Sequence, residues 1–345
     1  MSEHLPRDSF TTRRPVVVFG WLVVGLFALA AVFSGFLAPY DYSAQSRFEP
    51  SAPATTIHVS GLTLIIHPRH VEDTLRRTYT EDTSVAFPVG FFVHGYSYKL
   101  LGITETDVHL FGVRSTSSIA PRINLLGTDQ LGRDRFSRLV YAVRFSLIVT
   151  LLGVLVACLV GILLGGVSGY GGRLLDTFLM GATDAMLALP TLILVLAVRA
   201  AFPLELPVTR AALLLVLIFA LTGWAEMARL TRGLVLSLRN REFVVAAVAL
   251  GVSQTRVLFR HILPNIWPSL RTRALLLLPT FLLAEVALSY LGVGLQEPEP
   301  SLGNMLTAAS DIDQLRSQPL SVLSPALAVL LFTLGIRLIG RSRRT

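Results

Sequence analysis

The sequence predicts an all-α polytopic membrane protein: six transmembrane helices, with a small β-containing external insertion between the first and the second. Three observations carry this. Hydrophobic residues make up 52% of the 345-residue chain and charged residues only 15%, whereas soluble domains average about 25% charged. The mean hydropathy is +0.63, and the apolar residues gather into runs close to the ~20 residues that cross a bilayer core. Between the first two runs the texture changes to short alternating stretches broken by turn residues.

The spans follow in order. Residues 16–38, 145–167 and 319–336 are uncharged; 177–198 carries only Asp184 and 274–295 only Glu285; 211–225 is short, with Arg210 and Glu226 at its edges. The first run is too long for the ~7–15-residue apolar core of a cleaved signal peptide and ends in FLAPYDY without a small-residue cleavage site, so it is read as a retained span. The net charge of +8 is spread among the apolar segments rather than gathered on one face. With no stacking platform or basic groove, it reads as orientation charge beside spans, not as nucleic-acid binding.

Placing the N-terminus inside puts sixteen Lys and Arg in segments 1–15, 168–176, 226–273 and 337–345, against three in the short outer loops 199–210 and 296–318. The asymmetry predicts both termini in the cytoplasm. Arg133, Arg135, Arg138 and Arg144, close to the second span, run against it. Cys158 lies alone in an apolar run, where a small packing residue suffices.

Residues 39–125 are expected to form the external insertion. Thr56 to Ile66 reads as two short strands around a Ser60-Gly61 turn, and 85–93 and 108–113 are strand-like. The HPRH cluster of His67 and His70 has ligand chemistry, but the intervening proline argues against a helical ligand pair; it and the neighbouring His58, His94 and His109 are read as ordinary surface histidines. From 126 to 147, Phe136, Leu139, Val140 and Val143 recur at helical spacing opposite Arg135, Arg138 and Arg144. This predicts an amphipathic helix at the interface that turns into the second span. On the second span Gly161, Gly165 and Gly169 share one face, as close helix packing requires.

The segment between the fourth and fifth spans, 229–268, carries most of the functional information. In SLRNREFVVAAVALGVSQTRVLFRHILPN, Asn240 is a good N-cap and Glu242 a carboxylate suited to a first turn. Residues 241–250 form a short helix of small residues, Gly251 is a left-handed stop, and Ser253 caps a second helix bounded by Pro264. About 40 residues between spans is long for a plain connection. Ala246 and Ala247 permit close approach while Phe243 and Leu250 offer apolar contacts, the character of a helix seated in a groove on another protein.

AAVALG followed by HILP, as A-A-x3-G-x9-H-x-L-P, resembles the "EAA" loop of ABC importer permeases. REFVVAA with RHILPN resembles the peptide/nickel branch, of the DppC/OppC type. LGTDQLGRDRFSRLVYAVRFSL and EVALSYLGVGLQEPEPSLGNML are similar to further segments of that family, so the resemblance covers roughly residues 125 to 310 in the right order. Val245 stands where the loop's name expects Glu, and the insertion is longer than in the plainest members.

The resemblance implies a type I ABC importer permease fold in the bacterial cytoplasmic (inner) membrane. It implies residues 1–38 as N-terminus and first span, 39–125 as external insertion and 126–345 as permease core. It implies a second permease subunit, two ATPase subunits that carry ATP and Mg, an external solute-binding protein, and no cofactor on this chain. Di- or oligopeptides are the first substrate class, with nickel chelates and oligosaccharides carried by near relatives. It places the ATPase-coupling contact on Arg241, Glu242, Ala246, Ala247 and Gly251, with His261 and Pro264 fixing the loop against the fifth span. Independently, the only lysine, Lys99, is followed by Leu100, so no Walker A sequence exists in this chain and it is not expected to be an enzyme. Asp184 and Glu285 are expected to make polar contacts between helices or to touch solute. A stand-alone proton-coupled transporter or channel would use them as a relay, but leaves the AAVALG–HILP loop unexplained; a membrane enzyme would need a catalytic constellation near the spans, and none is legible.

Overall fold

A computed structural model describes residues 13–73, 78–100, 102–114, 121–203 and 206–341. In chain order the elements are α1 (Arg13–Val32), α2 (Ser34–Leu37), β1 (His58–Ser60), β2 (Thr63–Ile66), β3 (Arg69–Asp73), β4 (Thr78–Glu81), β5 (Phe87–Leu100), β6 (Thr104–Val113), α3 (Arg135–Tyr170), α4 (Arg173–Ala188), α5 (Thr191–Ala200), α6 (Val208–Leu238), α7 (Glu242–Ala249), α8 (Gln254–Val257), α9 (Leu263–Tyr290), α10 (Leu302–Leu306), α11 (Ile312–Ser317) and α12 (Pro319–Arg341). Among the described residues five helices are long and apolar enough to cross a membrane, and α4 with α5 makes a sixth if that pair is one span. The pair is bent by 93°. Pro190 lacks an N–H and forces its predecessor out of the helical region, and Leu189 is extended at φ −85°, ψ 131°.

The chain divides into two compact units. The first comprises 148–288 with the start of α1 and the end of α12. Its core is aliphatic and aromatic: Leu215, Ile218, Met227, Leu270 and Leu282 are almost fully buried, and Phe219 stacks on Phe281 with ring centroids 4.8 Å apart. The glycine face of α3 packs on α6. A Cβ added at Gly161 would come within 2.6 Å of the Met227 Cβ, and one at Gly169 within 2.9 Å of the Val235 Cβ. Only hydrogen fits at these crossings, so dispersion contact extends along both backbones.

The second unit comprises 22–147 and 289–332. β1, β2, β5 and β6 form an antiparallel four-stranded sheet in that order, and β3 pairs with β4. Gly61 at φ +61° turns β1 into β2, as the Ser60-Gly61 pattern predicts. The β3–β4 hairpin is not foreseen by the sequence pattern. His109 is a correction. It is only 1% exposed, with its ring nitrogens 2.9 Å from the Gly35 carbonyl oxygen and 3.0 Å from that of Tyr96. The other histidines stay nearer the surface: His67 Nδ1 lies 2.7 Å from the Val85 carbonyl oxygen and His58 Nε2 3.0 Å from Glu81.

Two further expectations are corrected. There is no separate interfacial helix over 126–147: residues 126–134 are turns around a Thr128–Asp134 bridge, and α3 then runs unbroken from Arg135. No breaker stands between 135 and 170 that could turn a surface helix into a span. Asp134 starts the helix by accepting the Ser137 N–H at 2.7 Å, and its burial pushes its carboxyl up to about 6. The arginines of the first turn are not on a wet face either. Arg138, 2% exposed, donates to Glu297 at 2.8 and 3.0 Å, and Arg133 donates to Glu297 and to Asp129, both at 2.6 Å.

Candidate functional site

The segment from α7 to the start of α9 lies in the first unit. Small and β-branched residues make α7 only eight residues long, and it starts one position later than expected. Arg241, not Asn240, occupies the cap position, at φ −74°, ψ 147°, and no side chain caps the helix. The stop is as the glycine predicts: Gly251 sits at φ +80°, where L side chains are strained. There the Val252 N–H reaches back to the Ala247 carbonyl at 3.2 Å and the Gly251 N–H to Val248 at 2.9 Å, satisfying the last carbonyls of α7. Ser253 stands at the cap position of α8, without a side-chain cap bond.

Pro264 does not bound that second helix. α8 passes through a π-helical turn, Leu258–Ile262, straight into α9, and Pro264 lies in the first turn of α9. The wider turn shifts the hydrogen-bond register: the Leu263 N–H bonds the Leu258 carbonyl, five residues back. A ring without an N–H is therefore tolerated at 264. His261 lies half-buried in the π turn, and its carbonyl accepts the Asn265 side-chain amide at 2.6 Å.

The expected coupling residues divide by exposure. Arg241, Glu242, Ala246, Gly251 and Pro264 are exposed; Ala247 is buried, with Val244 beside it. Phe243, Val245 and Val248 of α7 are exposed too, as is Leu250 at its C-terminal cap, the last 84% exposed. Val248 was not singled out by sequence, and Val245 only as the residue in place of the loop's Glu. The available clue was that the helix has no polar stripe at all.

Asp184 and Glu285 part company. Glu285 is completely buried in the packing of α9. Asp184 is two-thirds exposed and ion-paired to Arg229 of α6. Beside it Glu226 pairs with Arg273 of α9, and Glu226, Arg229 and Arg273, with Leu187 and Leu230, border an open cavity of about 470 Å3. Deeper in the unit Asp176 takes a two-pronged bond from Arg232, at 2.5 and 2.6 Å, and one from the Ser168 hydroxyl at 2.5 Å. Arg229, Arg232 and Arg273, read by sequence only as orientation charge, thus each bind a carboxylate 45 or more residues away. Among the described residues no group of three or more His, Cys, Asp or Glu could hold a metal ion. What this unit offers chemically is a short helix with exposed apolar side chains, joined by a turn to α8 and α9, and a charged cavity between three helices. It offers no reaction centre.

Residues 161–342 match the family described as binding-protein-dependent transport system inner membrane component. The chain is 33% identical over 218 residues to the oligopeptide transport system permease protein OppC of Bacillus subtilis, covering 63% of this chain and 69% of that one. It is 38% identical over 218 residues to the dipeptide transport system permease protein DppC of Alkalihalophilus pseudofirmus, with the same coverage. To the di/tripeptide transport system permease protein DppC of Pseudomonas aeruginosa it is 37% identical over 220 residues, 64% of this chain and 70% of that one. The family is the membrane component of ABC importers, whose ATPases are separate subunits, and the match with several apolar helices makes this a multi-pass inner membrane protein. The chain belongs to the family of binding-protein-dependent transport system inner membrane components.

Proposed function

We propose that this chain forms, with a second permease subunit, the path by which di- or oligopeptides enter the cell. In this reading two ATPase subunits, which carry the ATP and Mg, drive the cycle, and an external solute-binding protein delivers the peptide. The chain crosses the membrane six times, α4 and α5 together making the third span, with both termini in the cytoplasm. Residues 39–125 form the external insertion and 126–345 the permease core. The peptide assignment is supported by the names of the relatives; nickel chelates and oligosaccharides lose ground because none of the three relatives named above is described as carrying them.

The observation that carries the coupling role is the exposed apolar face of α7. Phe243, Val245, Val248 and Leu250 stand in the open on a helix that stops at Gly251, and after a turn of four residues, 250–253, α8, the π turn and α9 follow one another without interruption. Water is a poor neighbour for four such side chains on one short helix, and a groove on an ATPase is a good one. A push on α7 then reaches a span through a short hydrogen-bonded turn and continuous helix rather than through a slack loop. Arg241 and Glu242 supply the charged rim of that contact and Ala246 its close approach. Ala247 seats α7 on its own unit, and His261 and Pro264 set the turn into α9. Asp184 borders the solute path and Glu285 serves helix packing. An ion-paired Asp184 does not favour a stand-alone proton relay, since a relay acid must exchange its proton freely.

The test is purification of the importer with Leu250→Asp in this chain, followed by reconstitution. We expect the chain to insert in the membrane but to lose the ATPase subunits on purification, and ATP-dependent dialanine uptake to disappear. ATPases that remain bound with undiminished uptake would sink the coupling assignment. Absence of ATP-dependent peptide uptake from the unaltered complex would sink the peptide assignment.

A further inference from the structure

In the second unit the first turn of α3, the segment before α10 and the start of α11 border a cavity of about 590 Å3 whose wall holds Arg133, Arg135 and Arg138. All three residues are more than nine-tenths buried. Arg133 and Arg138 are matched by Asp129 and Glu297. Arg135 is different: among the described residues it has no carboxylate partner. Its guanidinium is held only by neutral oxygens, the Thr128 carbonyl at 3.3 Å and the Gln314 Oε1 at 2.8 Å. The remaining acid of the wall, Asp311, caps α11 by accepting the N–H groups of Asp313 and Gln314 and acts on Arg135 only through its charge, without a hydrogen bond.

A second observation points the same way. The bond from Arg135 fixes the Gln314 amide with its oxygen toward the guanidinium, because only that end can accept. The other end, Nε2, is buried with no hydrogen-bond partner among the described residues, although the side chain is a donor that loses its water on folding. A buried cation with no carboxylate at ion-pair distance, and a residue that carries a buried donor without an acceptor, thus line one cavity among the described residues. Each is costly alone, and both costs are relieved by the same chemical group.

We propose that this cavity is a carboxylate-binding site, in which Arg135 and the Gln314 amide nitrogen hold the oxygens of an incoming carboxylate. Guanidinium N–H groups form a planar fork that matches a carboxylate's two oxygens, and the charge-assisted bonds are the strong ones of their kind. Asp129 and Glu297 pair directly with the other two guanidiniums, which leaves Arg135 as the guanidinium of this wall open to a direct carboxylate partner. The carboxylate has two natural sources, the terminus of a peptide solute or an acidic side chain of a protein that docks on this unit. The site chemistry is independent of the peptide-importer reading; only the naming of the source draws on it.

The full chain in detergent is melted in sodium acetate and in sodium chloride at equal ionic strength. We expect acetate to raise Tm by a few degrees more than chloride does. Gln314→Glu places a carboxylate beside Arg135; it is expected to abolish that increment while its own Tm in chloride is no lower than that of the unaltered chain. Arg135→Gln is expected to abolish it too. Equal melting in the two salts, or an acetate increment that survives Gln314→Glu, overturns the site. Dialanine and N-acetylglutamic acid α-amide then separate the sources, since the single carboxylate is a peptide terminus in one and a side chain in the other; the larger increment identifies the source. Failure of ATP-dependent uptake in the reconstituted importer would strike the importer reading and leave this result standing.

Discussion

At the start of α3 three arginines are buried and two of them are locked by carboxylates, whereas on α7 four apolar side chains stand in the open and no side chain caps the helix. The first region places charge where water is scarce and holds it with hydrogen bonds from distant segments. The second places hydrocarbon where water is plentiful and leaves it unanchored. Their responses to mutation should therefore be opposite. Changes near α3 act on stability, because stranded charge has nowhere to go. Changes on the open face of α7 act on association, because nothing inside the chain depends on that face.

The largest effect is expected from Glu297→Ala. Its carboxylate serves both Arg133 and Arg138, so one substitution takes a partner from two buried guanidiniums and leaves Asp129 as the carboxylate beside both. We expect a loss of about 3 kcal/mol, at the low end for a broken buried pair because Glu297 itself is half exposed, read from the Tm and from chemical denaturation of the full chain. A loss below about 0.5 kcal/mol would mean that these arginines reach water and that the contrast with α7 is not one of burial.

Asp134 gives the next effect, through pH. Burial raises its carboxyl from 3.8 to about 6, so the folded chain holds the proton more tightly than the unfolded chain. The stability contributed by the neutral form is fully present below about pH 4 and is lost as pH rises through about 6. The full shift is worth about 3 kcal/mol. Asp134→Asn keeps an oxygen for the Ser137 N–H and cannot ionise, so its melting should be flat over that range while the unaltered chain falls. Parallel pH profiles would remove Asp134 from the account.

These regions also show what the sequence could and could not disclose. The long apolar helices and the Gly251 stop were legible because each rests on local physics: run length against bilayer thickness, and one residue that tolerates a positive φ. The burial of Arg135 and Arg138 was not. Locally they alternate with Phe136, Leu139 and Val140 as a surface helix would, and the partners that bury them, Glu297 and Gln314, lie about 160 and 179 positions away. The Asp184–Arg229 pair was hidden in the same manner by a separation of 45 residues. Pro264 misled for a different reason. A proline is a helix boundary only while the register is four residues per bond, and the π turn before it changes the register. His109 was misread because nothing in its own neighbourhood predicts that Gly35 and Tyr96 will surround it.

A smaller effect is expected at Gly251. A Cβ there would meet no atom within 4 Å, so Gly251→Ala is resisted only by the positive φ. That strain is about 1 kcal/mol, and the last turn of α7 should relax to avoid it. Hydrogen exchange at Leu250 to Val252 should rise before global stability changes measurably. No change in protection would show that α7 does not depend on its stop.

The smallest stability effect is also the sharpest comparison, because it can be made within α7 by one chemical change. Val244 is 1% exposed, while Val245 and Val248 are about half exposed. Val→Thr replaces a methyl by a hydroxyl of almost the same size. At 244 the hydroxyl enters an apolar contact and loses its water, so a loss of about 1–2 kcal/mol is expected. At 245 and 248 the hydroxyl stays hydrated in the isolated chain, and stability should move by less than about 0.5 kcal/mol. Against an ATPase groove the ranking inverts. The Val245→Thr, Val248→Thr double variant then carries two hydroxyls into an apolar interface and should weaken ATPase association about tenfold or more, whereas Val244→Thr should weaken it only as far as it loosens the helix. Equal melting losses at all three positions would mean that the face is covered by the chain itself, and unchanged association would mean that the ATPase binds elsewhere.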